Sequence, residues 1–382
     1  MDQDIPKPKR NKNTQNSSNE CSLLPGLPNH LAQLCLTRIQ PSTLYFVCRS
    51  WRRLIYSPSF PPFFALYAIL SPPPPHYNCN SSIEFYSLDP LSNNWTSLPP
   101  PPSDPPLHLL RRHPSFLSRK IPIQSLSVSG SLVLVAATNY NFTPALPRPL
   151  VFRPLSKNWS FGPPLAEPRR WCATGTVGGK VYVASGIGSN YRGDVARSME
   201  EWDMKKKKEA SSSWVKKAGL KDGRFSRDAV EAIGYRGKLW MVNVKGNARK
   251  EGAVYDVEND TWQDMPRGMI GGWNGPAAAS INDDDDNDHD HDVMYVVDES
   301  RGVLSKYDDE NDCWEMVVES DLLREAEQVC AGRGRVCVVC ANEKRIAVVD
   351  VVAPQPRIWV VEPPPMLQVV AVHILPRMCR SE

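Results

Sequence analysis

The 382-residue chain has no long hydrophobic run: its longest uninterrupted apolar stretch is eight residues, 63–70. A membrane-spanning helix needs about 18 or more. The first thirty residues carry no apolar h-region, which argues against a secretory signal. Charge of one sign is missing too, because 45 Lys and Arg against 42 Asp and Glu leave a net +3. That is too weak to make nucleic acid or an anionic membrane the default partner. The expectation is a soluble intracellular protein, cytoplasmic, nuclear or both, with neither nucleic acid nor membrane as partner.

Catalytic signatures are also wanting. There is no Gly-x-Ser-x-Gly elbow, no phosphate-cradling glycine loop and no His-Glu-x-x-His, and histidine numbers only seven. The repeated Ser-x-Asp-x-Gly-x-Thr-Trp boxes of sialidase propellers are absent. The reading is therefore a non-enzyme without cofactor or metal, an enzyme working in a central funnel being the more distant alternative. Ten cysteines lie without regular spacing, so neither a disulfide framework nor a zinc site is expected. The single Cys-x-x-Cys, Cys337 and Cys340, lies in an apolar run where strand alternation puts the two thiols on opposite faces, wrong for chelation.

Two excesses stand against these absences: 36 prolines and 11 tryptophans. Six tryptophans, Trp95, Trp159, Trp214, Trp262, Trp314 and Trp359, follow one another at 64, 55, 48, 52 and 45 residues. Each closes a unit of one design: an apolar or aromatic pair, a polar residue (Asp89, Arg153, Asp203, Asp256, Asp308 or Asp350), a short polar stretch, then Trp. In four units the polar residue precedes Trp by six; the third and sixth are longer, at eleven and nine. Upstream of each lies a short Val-, Tyr- and Leu-rich run (residues 64–70, 132–137, 180–184, 239–244, 293–297 and 336–339), mostly preceded by a second run. Short β-rich runs bounded by turn residues read as strands. Four per roughly fifty residues is the arithmetic of a β-propeller blade, the Asp bonding backbone N–H groups in the turn and the Trp filling the space between blades. The six indoles are read as structural, none as a site.

The first unit lacks an innermost strand, and a spare apolar run, 367–375, follows Trp359. That run is expected to join the first blade and seal a propeller of about six blades over residues 63–376, leaving 377–382 as a tail. These segments resemble kelch repeats. The best match runs from Pro168-Arg169 through Gly178-Gly179 to Ser185-Gly186; the Tyr/Trp half of the pattern is kept, and most units have lost the glycine pair.

Residues 1–22 are polar and expected to be disordered; Lys7–Lys12 reads equally as a nuclear import signal or a solvated tail. Asn29 can cap a helix with Leu31, Leu34, Cys35 and Ile39 on one stripe, stopped by Pro41. Ser42 can cap a second in which Leu44, Val47, Cys48, Trp51 and Ile55 recur at helical spacing, with Arg49, Arg52 and Arg53 turned away and Pro58 ending it. So short a helical segment cannot bury all its apolar surface alone: it packs on the propeller or docks another protein. Leu27-Pro28-Asn29-His30-Leu31, followed by Val47-Cys48-Arg49-Ser50-Trp51-Arg52-Arg53-Leu54-Ile55, resembles an F-box over residues 23–62. With the propeller, the whole chain resembles plant F-box/kelch-repeat proteins of the Skp-interacting partner group. The resemblance implies that Leu27, Pro28, Leu31, Leu34, Val47, Cys48, Trp51 and Leu54 bind a Skp-type adaptor, and through it a cullin–RING ubiquitin ligase, while the propeller holds an unidentified target. The alternative is a scaffold independent of ubiquitin, its helices an internal brace.

Three further features read as surface structure: the Asp-rich loop 283–292 with His289 and His291, the insertion Lys205–Lys208, and the proline runs 72–75, 99–102 and 363–365.

Overall fold

The computed structural model describes residues 22–57, 59–61, 63–72, 83–102, 109–110, 123–189, 193–205, 213–226, 230–243, 250–280, 292–341 and 345–378. The readings placed on residues 1–21, on Lys206–Lys208 and on 283–291 lie outside them. The chain divides into two compact units at Pro62/Phe63.

The second unit is a six-bladed β-propeller of four-stranded antiparallel sheets. Blade 1 combines Gln368–Pro376, Phe64–Ser71, Glu84–Asp89 and Asn94–Ser97; blades 2 to 6 occupy 123–161, 173–216, 230–264, 277–319 and 326–361. The C-terminal strand pairs with Phe64–Ser71 from Phe64↔Pro376 to Ser71↔Gln368, through a register shift after Ile69. The innermost strands meet their neighbours all the way round, from Ile123–Val128 through each blade to Gln368–Pro376 and back. Each inner edge is thus flanked by the neighbouring blades, which restricts the approach of another chain.

Among the described residues the core is six clusters, one in each gap between adjacent blades. A second strand therefore faces a neighbouring blade on both sides. Ser131–Ala137 is buried at every position and Phe64–Ser71 at all but the first. That is why these strands read as continuous apolar runs and not as alternating ones.

Turn chemistry shapes each blade. Four inner hairpins turn on two residues that both have positive φ: Ser129-Gly130, Gly178-Gly179, Arg236-Gly237 and Arg333-Gly334. These are type I′ signatures, whose twist matches that of paired strands and whose second position glycine fills without strain. In the outer hairpins Asp256 accepts from the backbone N–H of Glu258 and Asn259 at 3.1 and 3.0 Å, and Asp308 from Glu310 and Asn311 at 3.0 and 3.3 Å. Asp89 and Asp350 do the same to Leu91 and Val352. Arg153 cannot accept; its guanidinium donates to the Ser160 hydroxyl.

Two residues before the indole the chain passes through left-handed φ, at Asn93, Lys157, Asp260 and Asp312. This lifts the tryptophan over the preceding blade. There Trp159 Nε1 donates to Pro99 O, Trp214 to Pro163 O, Trp262 to Ala218 O and Trp314 to Met269 O, at 2.7–3.0 Å. Trp95 donates to Glu362 O at 2.8 Å and so bridges blade 1 to blade 6. Trp359 differs: it is 41% exposed, with the Arg335 guanidinium 5.6 Å from its ring centroid. In blades 4 and 5 the left-handed residue is itself an acid bonded across the gap, Asp260 to Ala218 N and Asp312 to Gly268 N and Met269 N.

The fold adds elements beyond the repeat: a two-stranded ladder, Arg169–Arg170 with Ile187–Gly188, and short helices at Gly193–Arg197 and Arg267–Gly272. Arg169 is buried, and its two Nη groups donate to Ser185 O, the Ser198 hydroxyl and Glu200.

Candidate functional site

The first unit holds three short helices, α1 (Asn29–Leu36), α2 (Pro41–Val47) and α3 (Arg49–Ile55). Two caps differ from the sequence expectation. Pro28, not Asn29, takes the N-cap of α1, and the Asn29 side chain accepts from Leu23 N at 3.0 Å. Pro41, expected only to stop the first helix, opens the second, because a missing N–H costs nothing in a first turn. The helix expected to run on from Ser42 breaks at Cys48. That residue is extended, and its Sγ accepts from Trp51 N at 3.4 Å, capping α3.

The break decides which side chains face outward. Leu27, Leu31, Leu34 and Val47 are exposed at 39, 42, 63 and 55%. Pro28, Cys35 and Cys48 are exposed as well. Buried instead are Ala32 and Leu36 on α1, Leu44 on α2, and Leu54 and Ile55 on α3. Two of the expected adaptor contacts are therefore not open. Leu54 is buried, and Trp51 is half-buried with its indole N–H on Leu23 O at 2.7 Å. Arg52 is not turned away either: its Nε donates to Tyr45 O at 3.0 Å and its guanidinium lies 4.3 Å from the Tyr45 ring centroid, tying α3 to α2.

Sequence reasoning missed Phe46, which is 76% exposed at the end of α2. A continuous helical stripe leaves it out, because Phe46 lies two positions after the buried Leu44 and so on the other side of α2. A second feature was legible and overlooked: between Cys21 and Ile83 there is no Asp or Glu, while Arg38, Arg49, Arg52 and Arg53 are present. The three helices thus offer exposed leucines, a phenylalanine and a valine beside arginines, in a stretch of sequence without Asp or Glu. Such a surface suits an apolar partner face with an acidic rim.

Elsewhere, among the described residues, no three His, Cys, Asp or Glu side chains converge to hold a metal ion, and no helix is long and apolar enough to cross a membrane. Cys337 and Cys340 are buried and pack into different inter-blade cores, as strand alternation requires. His373 on the closing strand is displaced toward neutrality, burial lowering it to about 4. It sits between the hydroxyls of Ser125 and Ser127 at 2.9 and 3.2 Å.

No protein-family model matches the sequence. Curated relatives do. The chain is 45% identical over 380 residues to the F-box/kelch-repeat protein SKIP25 of Arabidopsis thaliana, covering 97% of this chain and 94% of the relative. It is 28% identical over 268 residues to the F-box protein AFR of the same plant, covering 66% of this chain and 65% of the relative. Identity at that level along nearly the whole of both chains, with three N-terminal helices and a six-bladed propeller, places the protein in the F-box/kelch-repeat family.

Proposed function

We propose that the protein is the substrate-recognition subunit of an SCF-type ubiquitin ligase, working in cytoplasm, nucleus or both. The helical unit binds a Skp-type adaptor and through it a cullin–RING assembly, and the propeller holds the target protein. The chain supplies no reaction step. It acts by proximity, because tethering a target beside a charged conjugating enzyme turns a bimolecular encounter into an effectively intramolecular one.

The observation carrying this reading is the open apolar set Leu27, Pro28, Leu31, Leu34, Phe46 and Val47 beside arginines that have no acidic neighbours in sequence. The test is co-purification with a Skp-type adaptor. Leu31→Asp with Leu34→Asp is expected to weaken capture at least tenfold while the thermal transition of the propeller stays in place, since both side chains already face solvent. Capture undiminished by the double substitution overturns the proposal and leaves the scaffold reading.

A further inference from the structure

Blade 6 holds a second cysteine pair that the spacing in sequence does not reveal. Cys330 on its innermost strand and Cys337 on the next are direct cross-strand partners. In an antiparallel pair opposite residues share a face, with Cα atoms about 4.5–5.5 Å apart, inside the roughly 4.4–6.8 Å window a disulfide spans. Both side chains join the core between blade 6 and blade 1, with Val369 and Val372 of the closing strand. Cys340, three residues on, points into the core on the other side of the sheet. Both partners are free thiols; Cys337 is buried and Cys330 is half-buried on the strand nearest the axis.

We propose that Cys330 and Cys337 form a dithiol modification site, whose co-reactant is a small disulfide of the glutathione class. The more accessible Cys330, as thiolate, attacks one sulfur of the external disulfide, expelling a thiolate and forming a mixed disulfide. Cys337, deprotonated in turn, attacks the protein-bound sulfur of that mixed disulfide and expels the second thiolate. One external S–S bond is broken and one protein S–S bond formed. Two electrons and two protons pass from the cysteines to the two released thiols. The hydrogen bond with Cys337, then burial, push the Cys330 thiol well up, so exchange is slow at neutral pH and quickens with alkali. Reduction by the same class of thiol reverses both steps, so the bond is a reversible mark on the seam where the ring closes.

The experiment treats the full-length chain with glutathione disulfide at mildly alkaline pH, alkylates the remaining thiols and digests after Lys and Arg. Cleavage at Arg333 and Arg335 puts the two cysteines in separate peptides. The expected product joins Cys330 to Cys337 and disappears on reduction. Cys340→Ser retains it; Cys337→Ser abolishes it and leaves glutathione on Cys330. A link to Cys340, glutathione adducts in the unsubstituted chain without the cross-strand link, or Cys330 fully alkylated after treatment each overturns the proposal.

Discussion

Each repeat indole except Trp359 spans two blades, since its ring belongs to one strand while its N–H reaches a carbonyl of the blade before. A half-buried tryptophan so placed contributes through packing and through one hydrogen bond worth about 1 kcal/mol. The Trp262 ring lies 5.2 Å from Tyr255. Trp262→Phe should keep most of the packing and cost about 1–2 kcal/mol, whereas Trp262→Ala should cost about 3; urea denaturation of both separates the terms. His373 gives a second residue-scale expectation. Its folded value is about 4 against an ordinary 6.5. Between those values the unfolded chain holds a proton that the folded chain refuses, so stability is complete above pH 6.5 and drains away as pH falls toward 4, by on the order of 3 kcal/mol. A His373→Gln chain should show a flatter profile across that window; an unchanged slope would assign the loss to other groups.

At the scale of elements, the C-terminal strand is held from three sides. It pairs with Phe64–Ser71, and His373 meets Ser125 and Ser127 of blade 2. On the blade 6 side the Gln328 amide donates to Val372 O at 3.0 Å and accepts from Val372 N at 2.9 Å. One side chain thereby does the work of a strand partner for backbone groups that would otherwise face the axis unpaired. Replacing Gln328 with Ala should lower the unfolding free energy by about 2 kcal/mol, seen as a lower urea midpoint with m unchanged. The strands themselves were legible because turn residues bound each apolar run. The helical unit was less so. The period-3.6 stripe ran straight through Cys48, because a thiol that caps a helix looks in sequence like a small apolar residue within one.

For the whole molecule, closure is the dominant fact. The core is distributed over six gaps, each needing both flanking blades, so losing one boundary exposes two faces. Truncation after Pro365 removes the strand on Phe64–Ser71 and opens that edge. The shortened chain should elute as aggregate in size-exclusion chromatography where the full chain is monodisperse; a monomeric truncated form would show that the ring holds without its seam. Deleting residues up to Pro62, the boundary between the units, should leave the propeller's thermal transition within a few degrees.

The sequence by itself determined the number of blades, the order of their strands and the presence of a helical unit ahead of them. Those features are repeated and local: a turn residue, a run of β-formers and an indole recur on one period whatever surrounds them. Tertiary structure alone decided which apolar side chains of the helical unit stay open, since Leu31 and Leu54 are alike in composition and differ only in what covers them. It alone brought Cys330 to Cys337 and Gln328 to Val372, because both contacts are set by strand register and ring closure, which join residues that no periodicity relates.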